Sequence, residues 1–412
     1  MSQAVPMLLQ APTEAAMRHK LYANKWGPPT IQRAAWRIQR APAAWQIPVA
    51  HGDFQRPPQK PATGDAAEQP FSGTSFQLAA EPPAICSISS ANHLDELQIG
   101  ARLACLAYTD DKPGTTLAYN TRVLRGTLHA IEAIAGGPEE ARKPLSALLR
   151  EQLGYTSDCV FSHTRGEVDT QGFIAHSSNG DIVLAFRGTT NGLDWATNVD
   201  TRKTDCDFFE PKQSTSWFTG FPMCCLGEAA PPRVHHGFMT ALSVALPDIE
   251  THLLPQLRES ASPRRVIIAG HSLGGALATG AFAYLLGKFN FAESPHEVHL
   301  VTLGAPRFGD ARFVGKMMAH VKQLKELGKC SVKRVVHHDD AVPTVPPELF
   351  GFDHVGGLCR LAEDVSGRSR ELEGEDVAVA PRLSTELVTD HEPVRYLRSI
   401  DDFVQRSGSV SN

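Results

Sequence analysis

The fold of this chain follows from one stretch, RVIIAGHSLGGALATGAFAYLLGK, which runs from Arg265 to Lys288. After Arg265, residues 266–270 form an apolar, partly β-branched run, and the first six residues together predict a buried strand. A helix is predicted to begin at Leu273, directly after this strand. The G-x-S-x-G pattern at 270–274 therefore lies in a sharp strand-to-helix turn, with the amino end of the helix facing the serine. This context predicts that Ser272 is a nucleophile; the alternative is a tight structural turn whose serine is idle.

Strand and helix patterns alternate on both sides of this stretch. Nearly continuous apolar runs predict further strands, and apolar residues at helical spacing predict helices. The strands are expected at residues 172–176, 181–187, 298–303 and 333–337, and the helices at 92–108 and 311–327. Such alternation indicates a mainly parallel central sheet with helices on both faces. Together with the serine turn, it predicts the α/β-hydrolase fold.

A nucleophilic serine needs a histidine base and a carboxylate that orients the base. In hydrolases with this turn, the acid and then the histidine follow the serine along the chain. Asp340 comes after the predicted strand at 333–337 and is the expected acid, with Asp339 as the alternative. His391 lies just before a predicted helix and is the expected base, with His354 as the alternative.

Several histidines and carboxylates also resemble metal ligands, namely His235, His236 and the run from His337 to Asp340. Adjacent residues on a strand point to opposite faces, so His337 and His338 are poorly placed to share an ion. Neither a catalytic metal nor any other cofactor is predicted.

Five separated segments resemble the fungal-type (class 3) lipase family. In the family's order they are AFRGTTNGLDW at Ala185–Trp195, HHGF at His235–Phe238, GHSLGGALA at Gly270–Ala278, TLGAPRFGD at Thr302–Asp310 and DAVPTVPPELFGFDH at Asp340–His354. The resemblance covers residues 90–400 in outline. It implies that Ser272, Asp340 and His391 form a catalytic triad.

The same resemblance implies an oxyanion hole and a lid. Thr189 follows FRG and resembles the residue whose backbone N–H and hydroxyl hold the oxyanion, while Leu273 supplies a second N–H. Asn191–Asn198 resembles the lid, with Trp195 as its lipid-contacting aromatic residue. Packing of Trp195 in the core is the alternative. The long proline-rich extension and the charged stretch at 360–375 depart from the compact secreted members.

Composition divides the chain into three parts. Residues 1–85 contain 12 of the 29 prolines, which predicts a largely irregular extension. Residues 86–405 are predicted to form the catalytic domain, and residues 406–412 a short polar tail. Within the extension, the basic stretch Thr30–Ala41 predicts a short amphipathic helix. This helix could contact an anionic membrane, direct the protein to an organelle, or pack its tryptophan on the main domain.

Bulk properties narrow the class of protein further. A chain with 42% hydrophobic and 21% charged residues is typical of a soluble globular protein, and a net charge of -5 argues against nucleic-acid binding. No secretory signal is recognisable, and Val266–Leu286 is interpreted as a buried strand and helix instead of a membrane span. A cytoplasmic or peripheral membrane location is therefore expected, with non-classical export as the alternative.

The eight cysteines are expected to be mostly buried, reduced thiols. If the protein is exported, a disulfide from Cys206 to Cys224 or Cys225 is the alternative.

These features predict a serine hydrolase that cleaves carboxylic esters of lipids, either acylglycerols or phospholipids, through an acyl-enzyme. Transient contact with a membrane or lipid surface is expected. The alternatives are a small-ester carboxylesterase, a serine peptidase, and a membrane- or partner-binding module with an idle serine. The pattern makes no prediction about the oligomeric state.

Overall fold

The computed structural model describes residues 91–109, 111, 122–165, 168–189, 201–209, 230–363, 369–372 and 389–409. Several predictions lie outside these residues: the irregular extension at 1–85 with its basic helix at 30–41, and the lid segment at 191–198 with Trp195. The same holds for Cys86, Cys224 and Cys225.

Ten strands are described, in chain order β1 Tyr155–Arg165, β2 Val168–Ser177, β3 Asp181–Phe186, β4 Lys203–Asp205, β5 Arg233–His235, β6 Arg265–His271, β7 Glu297–Leu303, β8 Cys330–His337, β9 Gly357–Glu363 and β10 Ser369–Leu372. The α-helices described are α1 Ala91–Leu106, α2 Arg122–Ala135, α3 Leu145–Leu148, α4 His236–Ser243, α5 Leu246–Asp248, α6 Leu254–Glu259, α7 Leu273–Lys288, α8 Ala311–Glu326 and α9 Pro393–Ser409. Short π-helical turns follow α3 and α5, at Leu149–Leu153 and Ile249–Leu253. The last helix, α9, ends within the segment predicted as a polar tail.

Eight of these strands form one sheet in the order β1-β2-β3-β6-β7-β8-β9-β10. The five central strands, from β3 to β9, pair in parallel, whereas β1, β2 and β10 pair antiparallel at the two ends. The mainly parallel sheet is therefore confirmed. The antiparallel hairpin of β1 and β2 extends beyond the predicted strand at 172–176.

Helices cover both faces of the sheet, as predicted. Along β6, Val266 and Ile268 belong to the hydrophobic cluster beneath α4 to α8, while Ile267 and Ala269 belong to the cluster beneath α1, α2, α3 and α9. Successive residues of a strand point to opposite faces, so a central strand covered on both faces must be apolar throughout. This explains the continuous apolar run in the sequence, and it is the arrangement of the α/β-hydrolase fold.

The parallel strands bring their carboxyl ends to one edge of the sheet. Phe186 of β3 pairs with Gly270 of β6, and His271 of β6 pairs with Leu303 of β7. Residues that follow these strands therefore meet at this edge, where α/β proteins place their ligands. Thr189, Ser272 and Asp340 follow β3, β6 and β8 respectively, while His391 lies just before α9.

Two further expectations concern the apolar stretch and the cysteines. No helix in the described part of the chain is long and apolar enough to cross a bilayer. Five cysteines in the described ranges are free thiols: Cys105, Cys159, Cys206, Cys330 and Cys359. All of them except Cys159 are buried.

Candidate active site

Ser272 occupies a strained turn between β6 and α7. Its backbone has φ 59 and ψ -131, a conformation that residues with a side chain rarely adopt. The turn is held by a hydrogen bond from the Ser272 N–H to the Leu303 carbonyl at 2.9 Å. Gly274 lies so close to β3 that a Cβ atom there would be 2.3 Å from the Phe186 carbonyl oxygen. The glycine in the motif is therefore needed for close approach of the two backbones.

Asp340 and His391 form a buried pair at the same sheet edge. The Nδ1 atom of His391 is 2.7 Å from Oδ2 of Asp340, and the Asp340 side chain is fully buried. The other carboxylate oxygen accepts a hydrogen bond from the Val342 N–H at 2.9 Å. Because a carboxylate can only accept, Nδ1 carries the proton, which leaves Nε2 of a neutral His391 ring free to accept one.

Ser272 Oγ and His391 Nε2 are both buried, and neither has a hydrogen-bond partner among the described residues. The ring of His271, the neighbour of Ser272, lies 4.6 Å from the His391 ring between centroids. The His391 ring thus packs against the residue that precedes Ser272, and no hydrogen bond joins Ser272 Oγ to His391 Nε2. In unliganded enzymes such bonds are often long and shorten when substrate binds.

Thr189 has a buried polar atom that, like Ser272 Oγ and His391 Nε2, is unpartnered in the described part of the chain. Its Oγ1 has no hydrogen-bond partner among the described residues. The adjacent Gly188 approaches the serine turn so closely that a Cβ atom there would lie 3.2 Å from Ser272 Cβ. Leu273 begins α7, where the N–H groups have no acceptor in a preceding turn. The residue before Thr189 and the first residue of α7 thus both adjoin the serine turn.

The alternative acid, Asp339, and the alternative base, His354, contact other groups. Asp339 is about half exposed and pairs with Arg360, its Oδ1 2.7 Å from Nη2. His354 donates through Nε2 to the Pro343 carbonyl at 2.7 Å, and burial lowers the pKa of its ring well below the usual range. The structure thus brings Asp340, and not Asp339, to His391.

The four residues from His337 to Asp340, part of the set considered as metal ligands, diverge as well. His337 is buried and its ring lies 5.6 Å from that of Tyr396, whereas the side chain of His338 is about half exposed. Since Asp339 pairs with Arg360 and Asp340 with His391, these side chains do not converge on one point.

Sequence reasoning missed Tyr396, which lies on α9. Its hydroxyl donates to Oδ2 of Asp340 at 2.5 Å, and the side chain is fully buried. Burial, followed by the neighbouring Asp340 charge, raises the pKa of Tyr396 well above its usual range, so the phenol keeps its proton. Only its position in the first turns of a helix after His391 could have suggested this role.

A second missed contact joins His271 to Tyr108. His271 Nε2 lies 2.8 Å from the His391 carbonyl oxygen, and Nδ1 lies 2.9 Å from the Tyr108 hydroxyl. Burial, followed by the nearby His391, lowers the pKa of His271 well below its usual range, so the ring is neutral. A carbonyl can only accept, so Nε2 donates to it and Nδ1 accepts from Tyr108. This chain of hydrogen bonds fixes the loop that carries His391 against the serine turn.

Residues 183–350 match the family model described as Lipase (class 3). The chain is 30% identical over 175 residues to secreted mono- and diacylglycerol lipase 1 of Fusarium solani, covering 42% of each protein. It is 29% identical over 247 residues to phospholipase A(1) DAD1, chloroplastic, of Arabidopsis thaliana, covering 54% of this chain and 50% of that protein. The chain thus spans half or less of the length of these relatives.

Among solved structures, lipase II from Rhizopus niveus aligns with a TM-score of 0.44 at 22% identity, covering 66% of this chain and 94% of that one. The lipase from Rhizopus microsporus var. chinensis aligns with a TM-score of 0.46 at 22% identity, covering 76% and 88%. The family match begins within β3, contains the serine turn, and ends after Asp340. Residues 183–350, which hold the serine turn and Asp340, are thus similar to the class 3 lipase family.

Proposed function

We propose that this chain hydrolyses carboxylic esters of lipids, with Ser272 as nucleophile, His391 as base and Asp340 as the acid that orients it. The observation that carries the proposal is the buried Asp340–His391 pair, whose histidine is hydrogen-bonded through its carbonyl to His271, the neighbour of the strained Ser272. Ser272 Oγ and His391 Nε2 are both unpartnered among the described residues. The catalytic domain proposed here comprises residues 86–405, with α9 continuing to Ser409.

The proposed reaction is acyl transfer in two halves. His391 Nε2 removes the proton from Ser272 Oγ as this oxygen attacks the ester carbonyl carbon, while Asp340 stabilises the imidazolium that forms. The N–H groups of Leu273 and Thr189, with the Thr189 hydroxyl, hold the resulting oxyanion. His391 then protonates the leaving alcohol, and water repeats the sequence on the acyl-enzyme. The groups named suffice for this chemistry without a cofactor.

Two observations support a lipid ester as the substrate. The Fusarium solani relative is named a mono- and diacylglycerol lipase, and the Arabidopsis thaliana relative is named a phospholipase A(1). Both names denote hydrolysis of a lipid ester, although the head group of the lipid differs. In addition, Leu349 is 79% exposed and Phe350 47% exposed, in a short helical turn after Asp340. Exposed apolar side chains on such a segment favour transient contact with an aggregated lipid surface, and thus a peripheral location.

The test is labelling with a fluorophosphonate probe, which reacts with activated serines. Wild-type protein should be labelled, and Ser272→Ala should not. Ser243→Ala is the matched control, because Ser243 lies on α4 and its hydroxyl donates to the Thr240 carbonyl at 2.8 Å. Labelling of Ser272→Ala at the wild-type level would remove the proposed nucleophile.

A substrate panel then separates the lipase from its competitors. Diacylglycerol and phosphatidylcholine dispersions are compared with a soluble short-chain ester and a peptide. Turnover of dispersed lipid supports the proposal, while turnover of the soluble ester alone indicates a carboxylesterase. A peptide product would indicate a peptidase. The absence of both labelling and turnover in folded protein would leave a binding module with an idle serine.

A further inference from the structure

A separate cluster of metal-binding side chains lies at the β1 end of the sheet. The ligand atoms of Cys159 on β1, Asp248 on α5 and His252 in the following π-turn all lie within 4.8 Å of one another. The three residues are partly exposed, and none of them belongs to the active site described above. We propose that Cys159, Asp248 and His252 bind one Zn²⁺ ion.

A β-bulge is what directs Cys159 to this point. The pairing of β1 with β2 shifts between Ser157 and Cys159, so Asp158 is an extra residue. Tyr155, before the bulge, packs in the cluster beneath α1, while Phe161, after it, packs in the cluster on the opposite face of the sheet. Cys159 is in step with Phe161 and therefore faces the helices that carry the other two residues.

The second backbone irregularity arranges Asp248 and His252. These two residues are four positions apart, so they share one side of the helical segment. Ile249 and Leu253 are fully buried and hold the other side against the core. The segment at Ile249–Leu253 is π-helical, a local distortion found frequently at functional sites. The β-bulge in β1 and the π-helical segment thus place the three proposed ligands close together.

The distances require only small side-chain movements. Cys159 Sγ is 3.8 Å from Asp248 Oδ1, close to the separation of about 3.5 Å between neighbouring ligands of tetrahedral zinc. The other distances between ligand atoms are at most 4.8 Å. They must shorten by about 1 Å to match tetrahedral zinc, a change that partly exposed side chains permit. His163 Nε2 lies 2.5 Å from Asp248 Oδ2, so it orients the carboxylate from outside the ligand set.

The chemistry of the ligands identifies the ion. A thiolate, an imidazole and a carboxylate with space for water suit Zn²⁺, whereas Mg²⁺ and Ca²⁺ prefer oxygen ligands alone. Binding replaces the Cys159 thiol proton, which passes to solvent. The ion would join β1 to the α5–α6 segment and stabilise this end of the sheet.

The test is titration of chelator-treated full-length protein with Co²⁺, which gives a thiolate-to-metal absorption band, followed by displacement with Zn²⁺. One equivalent should produce the band in wild type. Cys159→Ser should lack the band, and Cys330→Ser, which removes a buried thiol elsewhere, should keep it. His163→Gln should weaken binding about tenfold. His252→Gln should weaken it by more than His163→Gln does.

Absence of the band from folded wild type, or its persistence in Cys159→Ser, would overturn the proposal. If Cys159→Ser does not fold, His252→Gln provides the test. Unchanged Co²⁺ affinity in that variant would also overturn the proposal. These readouts are independent of ester hydrolysis.

Discussion

At the scale of single residues, the Thr189 hydroxyl permits a sharp test of the oxyanion hole. Thr189 Oγ1 is buried without a partner among the described residues, a costly state unless a ligand uses it. Thr189→Ala should lower kcat by about 100-fold with little change in KM, because one donor to the developing charge is lost. Thr189→Ser keeps the hydroxyl and should stay within a few-fold of wild type. Steady-state kinetics on a dispersed diacylglycerol gives kcat and KM for both variants. Equal activities of Thr189→Ala and Thr189→Ser would exclude a role for the hydroxyl.

At the scale of secondary-structure elements, the contact between β3 and α7 depends on Gly274. A Cβ atom there would meet the Phe186 carbonyl oxygen at 2.3 Å. The oxygen is a backbone atom and the Cβ position is fixed by the helix backbone, so neither can rotate away. Gly274→Ala should therefore destabilise the protein by about 1–3 kcal/mol, as other overpacked sites do.

Gly315 supplies the matched control for this prediction. It is exposed in the interior of α8, and a Cβ atom there would meet nothing within 4 Å. Gly315→Ala should stabilise the protein by about 0.5–1 kcal/mol, since alanine is the better helix former. Chemical denaturation of both variants should give shifts of opposite sign. A neutral or stabilising shift in Gly274→Ala would show that the close approach at Gly274 does not limit the packing.

At the scale of the whole molecule, buried neutral histidines predict sensitivity to acid. Burial lowers the pKa of His271 and of His354 well below 6.5. The unfolded chain binds a proton at each near pH 6.5, but the folded protein does not, so stability is lost as the pH falls below this value. Each histidine should cost about 1 kcal/mol of unfolding free energy between pH 6.5 and 5.5.

The measurement is denaturant unfolding across this pH range. His354→Gln keeps a donor for the Pro343 carbonyl but cannot be protonated, so its stability should fall less steeply as the pH falls. His129→Gln changes an exposed histidine of α2 and should keep the wild-type slope. A slope that is the same in His354→Gln and in wild type would contradict the prediction.

Much of the site could be predicted from short-range features of the chain. The apolar run before Ser272, the glycines around it and the helix after it are local, and backbone sterics alone require them in this order. The burial of central strands on both faces is also visible locally, because such strands are apolar at every position. The chain therefore specifies the sheet, the turn and the position of the serine by itself.

Other features depend on contacts between distant parts of the chain. Asp339 and Asp340 are adjacent and chemically identical, and only the packed fold shows that Asp340 turns inward to His391, 51 residues away. Tyr396 and Tyr108 reach Asp340 and His271 across 56 and 163 residues. No local pattern marks a tyrosine for such a contact, since its partner is chosen by how helices pack on the sheet. The tertiary structure alone decides which polar groups share a buried space, because there each must find a partner that water no longer provides.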